Sequence, residues 1–159
     1  MQRRIAALAE FSVLSRTHIA REGKSKEIVY VPEPEASTRL AQQLAQLAKG
    51  SALLAGRETV TEEDCALVRR TGMDCIPATR RKIIGALMRG KQRSAIMFAS
   101  ALKLPYSTYN YALMDLKSLG LLDSTFDREE GETVLWLTRQ TKRLIREAGI
   151  TVRRGRIVK

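Results

Sequence analysis

Aromatic residues make up 5% of this 159-residue chain, and one histidine and two cysteines are its whole stock of soft metal ligands. Cys65, Cys75 and His18 cannot make a four-ligand zinc site without carboxylate help, so no metal is expected and the thiols read as reduced and structural. No apolar stretch approaches the roughly 20 residues of a membrane span, and Met1-Gln2-Arg3-Arg4 leads into no signal-peptide core. The expectation is a cytoplasmic protein with no membrane partner. No nucleophile sits near a base, and no carboxylate pair suggests a cleft, so no catalytic residue is predicted. Missing too are G-x-x-x-x-G-K-[ST] and any apolar run ending in paired acids that could hold magnesium. By itself the chain is therefore not expected to be an enzyme or to carry a cofactor.

Positive charge is what the sequence has in excess. Lys and Arg number 28 against 17 Asp and Glu, giving +11 at neutral pH, which favours a polyanionic partner through counterion release. A soluble protein with a basic surface would have the same composition, so the choice falls to local pattern.

The most informative stretch runs from Ser94 to Leu122. Ala99, Leu102, Leu104, Tyr109, Leu113, Leu116 and Leu119 recur at the spacing that puts them on the shared inner face of two short helices. Pro105 breaks the first helix; Ser107 is a candidate N-cap for a second, from about Thr108 to the C-cap residue Gly120. Tyr106, Ser107, Thr108, Asn110, Tyr111, Met114 and Lys117 are left facing outward, as in the recognition helix of a helix-turn-helix.

The chain before this stretch predicts a short helix around Arg3 to Glu10 and a hairpin between Phe11 and Val31, whose strand-forming Phe11, Val13 and Ile28 to Val31 flank the turn REGKSK. His18, in or beside the first strand, reads as a structural group. Pro32 and Pro34 punctuate the chain. Leu40, Leu44, Leu47 and Leu54 then mark one face of a long helix that Gly56-Arg57 ends, and Gly50 inside it costs about 1 kcal/mol relative to Ala. Thr61-Glu62-Glu63-Asp64 has the form of a capping box opening a helix to about Thr71.

Residues 37–64, STRLAQQLAQLAKGSALLAGRETVTEED, resemble the helical lid of AAA+ ATPases of the MCM and MoxR kind: Ser37-Thr38-Arg39 at a helix start, a small-residue helix, then Val60-Thr61 and Asp64 opening the next. The resemblance implies that Arg39 is a nucleotide-sensing residue, its planar charged fork suited to a terminal phosphate. Such a role, with ATP and magnesium, exists only if an AAA+ ATPase domain or a larger helicase supplies the phosphate cradle. The alternative for Arg39 is a helix-terminal surface residue paired with Glu35.

From Ile76-Pro77 a helix carries Arg80, Arg81 and Lys82 on one side and Ile83, Ile84, Leu87 and Met88 on the other, ending at Gly90. After the helix-turn-helix, Leu121–Phe126 and Thr133–Leu137 read as two strands, with Trp136 in the core, and Thr138 to Ala148 as a last helix bearing Arg139, Lys142, Arg143 and Arg146. The order helix, helix, helix, strand, strand, with Ala99, Leu104-Pro105, Ser107-Thr108, Leu113, Leu116 and Leu119-Gly120-Leu121, resembles the winged helix-turn-helix of MarR- and ArsR-type regulators. That resemblance implies DNA binding and transcription regulation; winged helices also serve as protein-interaction modules.

The sequence thus predicts a mainly α protein with a little β. Residues 1–75 would form a hairpin and lid-like helical region, 76–150 a winged helix-turn-helix with a two-stranded wing, and 151–159 a basic tail that either tracks phosphates or is solvated. Thr108, Asn110, Tyr111 and Met114 are expected at base edges, with Asn110 suited to adenine, and Ser107, Lys91, Arg93 and Lys117 at phosphates. The wing tip, Asp127 to Glu132, sets four acids against Arg128 and is expected to be held away from DNA. DNA is the expected partner; the alternatives are an AAA+ ATPase domain, for which the chain is a regulatory module, and a homo-oligomer.

Overall fold

The computed structural model describes residues 1–90, 92, 95–153 and 156–157. Among them are seven helices and three two-stranded antiparallel sheets, a mainly helical fold. None of the helices is long and apolar enough to cross a membrane.

The first helix, α1 (Gln2–Arg16), runs well past its predicted end and takes in Phe11 and Val13, which sequence reading assigned to a strand. The reason lies in tertiary packing. Ile5, Leu8, Phe11, Ser12 and Ser15 recur at helical spacing and are buried, because α1 lies among three other helices, and β-propensity is a weak preference that such packing overrides. Ser12 Oγ donates to its own helix at Leu8 O (2.7 Å) and across to Gly72 O (2.9 Å). A Cβ at Gly72 would lie 2.8 Å from the Leu8 side chain, so the glycine is what lets the two backbones approach. The predicted hairpin shrinks to β1 (Ala20–Arg21) and β2 (Ile28–Tyr30), with Ala20 opposite Tyr30, Arg21 opposite Ile28 and an irregularity between. His18 is exposed in the link before β1.

Helix α2 (Ser37–Leu54) packs on α1 and α3 and buries Leu40, Leu44, Ala48 and Ala52. Leu54, expected on that inner face, is instead 92% exposed, and Leu47 is half-buried. Small residues continue the contact line after Leu44, which lets the helices stay close where a leucine would push them apart. Arg39 is exposed on the first turn, and Glu35 pairs with Arg16 rather than with it.

Helix α3 (Glu62–Asp74) opens with the expected capping box, Thr61 and Asp64 each serving the other's backbone. Asp64 does more than cap. Its buried carboxylate takes a two-pronged grip from Arg57 (2.6 and 3.0 Å) and a hydrogen bond from Ser51 Oγ (2.6 Å), so it also locks the α2–α3 loop. Arg57 first, then the Ser51 hydroxyl and the Thr61 backbone N–H, hold this carboxyl well below the usual carboxylate range. A depressed folded-state value means that the stabilisation is complete above the unfolded pKa of about 3.9 and disappears as pH falls towards the folded one. Asp64→Asn is therefore expected to melt below the wild type at neutral pH, with the gap closing between about pH 4 and the acid limit. A gap that stays constant in melts across that range would contradict the assignment.

The second half begins with α4 (Ala78–Leu87), α5 (Ala95–Ala101) and α6 (Tyr106–Ser118), followed by β3 (Leu122–Asp127), β4 (Glu132–Leu137) and α7 (Arg139–Glu147). Strands β3 and β4 pair in unbroken register from Leu122–Leu137 to Asp127–Glu132, and Gln92 adds a bridge to Leu135 beside them. This is a winged helix. Trp136 is half-buried rather than in the core: Leu135 and Leu137, buried, share one face of β4, and Trp136 lies on the other. Thr138 caps α7, whose Leu144, Ile145 and Ala148 face inward against α1, so buried residues of both halves of the chain join one core. Near the end of the chain, β5 (Val152–Arg153) pairs antiparallel with β6 (Arg156–Ile157), where a solvated tail was one expectation.

Candidate nucleic-acid interface

The turn between α5 and α6 positions everything that follows. Lys103 takes a left-handed backbone (φ 54°), while Lys103 N and Leu104 N donate to the Ser100 and Ala99 carbonyls and close the end of α5. Pro105, at the N-cap of α6, accepts from Tyr109 N at 2.9 Å. The predicted N-cap, Ser107, is instead the second residue of the helix: Pro105, with its fixed φ, stands at the N-cap, the helix starts at Tyr106 and no side chain caps it. Its end matches expectation, with Gly120 at φ 67° just beyond the C-cap Leu119.

Tyr109, Ala112, Leu113 and Leu116 bury one side of α6. Tyr109 packs edge-on against Phe98, and burial pushes its phenol up to about 12. The opposite side is bare. Ser107, Tyr111, Met114 and Ser118 form an exposed stripe along it. Thr108 lies exposed on one flank with Asp115, and half-buried Asn110 lies on the other with Lys117. Of the predicted contact residues, Ser107, Thr108, Asn110, Tyr111, Met114 and Lys117 are thus together on one helix, Asn110 the least accessible. Lys91 and Arg93 lie outside the described residues.

Two clamps hold this helix, and sequence reading anticipated neither. On the wing side, Lys117 Nζ donates to Ser124 Oγ of β3 at 2.8 Å. On the other side, Asp115 accepts from two arginines: Arg21 at 2.6 Å on Oδ1 and Arg80 at 2.9 Å on Oδ2. Arg80, predicted on a solvent face of α4, is 7% exposed. It also donates to the carbonyls of Ser15 (3.0 Å) and Thr17 (2.7 Å) at the end of α1, where a cation suits the helix C-terminus. Its neighbour Arg81 is tied to Asp74 and Met73 O, which leaves Lys82 as the exposed base of that triplet. On α7, Arg139, Lys142, Arg143 and Arg146 are all exposed.

No protein-family description matches the chain, and no curated protein does. Among solved structures, the adhesin competence repressor of Streptococcus pyogenes matches at 20% identity over 69% of this chain and 70% of that one, with a TM-score of 0.40. A likeness of that degree says nothing about function. The likeness of residues 37–64 to an ATPase lid rests on the residues that carry it alone.

Proposed function

We propose that this is a DNA-binding protein, a transcription regulator that lays α6 in the major groove. The observation that carries this reading is the bare face of α6: polar and aromatic groups at helical spacing, uncovered by the rest of the chain, on a protein of net charge +11. Thr108, Asn110, Tyr111 and Met114 would meet base edges, and Ser107 and Lys117 phosphates, joined by Lys91 and Arg93 from the segment before α5. The uncapped first turn of α6 adds backbone N–H donors that favour a phosphate.

The wing tip departs from this pattern. Arg128, Glu129 and Glu130 are exposed at the turn closed by Gly131 (φ 66°), and acids outnumber bases there. Near a phosphate backbone they repel. A titration of the full chain with mixed-sequence duplex DNA over a range of salt tests both points. Binding with a steep salt dependence is expected, and Glu129→Lys with Glu130→Lys should tighten it by adding two cations. Absence of binding at low salt would overturn the proposed function. Weaker binding by the charge-reversed variant would mean that the acids make a direct contact.

A further inference from the structure

The REGKSK turn between β1 and β2 has no role in the reading so far, yet it is the part of the N-terminal region tied most tightly to α6. Arg21 makes the tie. Its Nη1 donates to Lys26 O (2.6 Å) across the turn, while Nη2 donates to Asp115 Oδ1 (2.6 Å) and Tyr111 O (3.2 Å). The guanidinium also lies 5.1 Å from the centre of the Tyr111 ring, a cation–π distance. One side chain therefore fixes the turn to the residue at the middle of the exposed stripe.

Local bonds make the turn itself rigid. Lys26 N donates to Glu22 O (3.1 Å), Ser25 N to a Glu22 carboxylate oxygen (2.8 Å) and Glu27 N to Ser25 Oγ (3.2 Å), and Lys26 holds a left-handed φ of 59°. The acids of the turn are thereby partly used internally: Glu22 is occupied by Ser25, whose hydrogen bonds lower its pKa. Lys24 and Lys26 stand exposed.

The placement of this turn relative to the wing follows from helix geometry. Asp115, which holds Arg21, and Lys117, which holds the wing strand, are two residues apart and so about 200° apart around the axis of α6. The turn and the wing therefore flank the exposed stripe on opposite sides. One flank is acidic at its tip, and the other presents two lysines.

We infer that the β1–β2 turn is a phosphate-binding arm of the same interface, with Lys24 and Lys26 contacting the DNA backbone beside α6 on the side away from the wing. This rests on the proposed docking of α6. Arg21 is a positioning residue: its charge is committed to Asp115 and the turn carbonyl, and it acts by holding the two lysines in place.

The test is a fluorescence-anisotropy titration of the full chain with a mixed-sequence duplex over a salt series. Lys24→Ala with Lys26→Ala should bind several-fold more weakly and reduce the slope of log affinity against log salt by about 1.8, the value for two lost phosphate contacts. Arg21→Ala should weaken binding alone but add nothing in the double-lysine background, since its effect runs through those lysines. A wild type that binds while the lysine variant keeps its affinity and slope would overturn the arm and leave the α6 docking intact. A wild type that fails to bind would remove both. An additive Arg21 effect would show that Arg21 acts through α6 and does not position the arm.

Discussion

Asp115→Ala is expected to lower the melting temperature by roughly 6 to 12 °C, taking a loss of about 3 kcal/mol and 2 to 4 °C per kcal/mol for a chain of this size. The size of the loss comes from what remains. Arg80 would stay 7% exposed with its charge facing two carbonyls and no carboxylate. Breaking a buried pair from one side costs more than the pair contributes, because the surviving charge has lost its water as well as its partner. The value is set at the low end of the buried range because Asp115 and Arg21 keep about one-sixth of their side-chain surface. Asp115→Asn, which retains an acceptor, should lose less. Thermal melts followed by circular dichroism decide it: an Asp115→Ala transition within a degree or two of wild type would mean that the two arginines find other partners.

That network shows what the sequence could not reveal. Arg21, Arg80 and Asp115 are separated by 94 and 35 positions along the pairs they form, and each looks by itself like one more charged residue on a helix or turn. Periodicity identifies faces; it does not say that one arginine of an Arg80-Arg81-Lys82 run will turn inward to close the end of another helix. The Arg57–Asp64 grip was nearer to legible, since the capping box named Asp64 and only the arginine seven residues earlier was missing.

The winged part was legible because its signals are local. Pro105 and Gly120 set the limits of α6 by their φ preferences, and the apolar run with strand-forming residues along 133–137 marked β4. The start of the chain failed for the opposite reason. Phe11 and Val13 are strand-formers by type, but α2, α3 and α7 together offer a helical α1 more buried surface than a two-stranded ribbon could. Arg39 is a smaller case: Glu35, its partner in the alternative reading, pairs instead with Arg16, brought in by the longer α1.

The second large effect concerns sequence preference. Thr108→Ala with Asn110→Ala should abolish most discrimination between a duplex selected from a randomised pool and a mixed-sequence duplex, while the salt dependence of nonspecific binding stays as it was. The two terms separate physically: base-edge contacts carry sequence information, whereas counterion release counts phosphates and ignores sequence. Each good base contact is worth about 1 to 3 kcal/mol, so losing two removes about 2 to 6 kcal/mol and should reduce the preference by roughly thirtyfold to ten-thousandfold. These positions are chosen over Tyr111 because the Tyr111 ring and carbonyl also hold Arg21, and truncating it would disturb the β1–β2 turn as well as the groove contact. Asn110 is half-buried on the Lys117 flank, so its carboxamide can reach a base only if α6 enters the groove with that flank leading. If Thr108→Ala alone removes the preference and Asn110→Ala leaves it unchanged, the helix docks rolled towards the Arg21 side instead. If neither changes the preference at matched salt, Thr108 and Asn110 do not read bases, and neither flank of α6 leads into the groove.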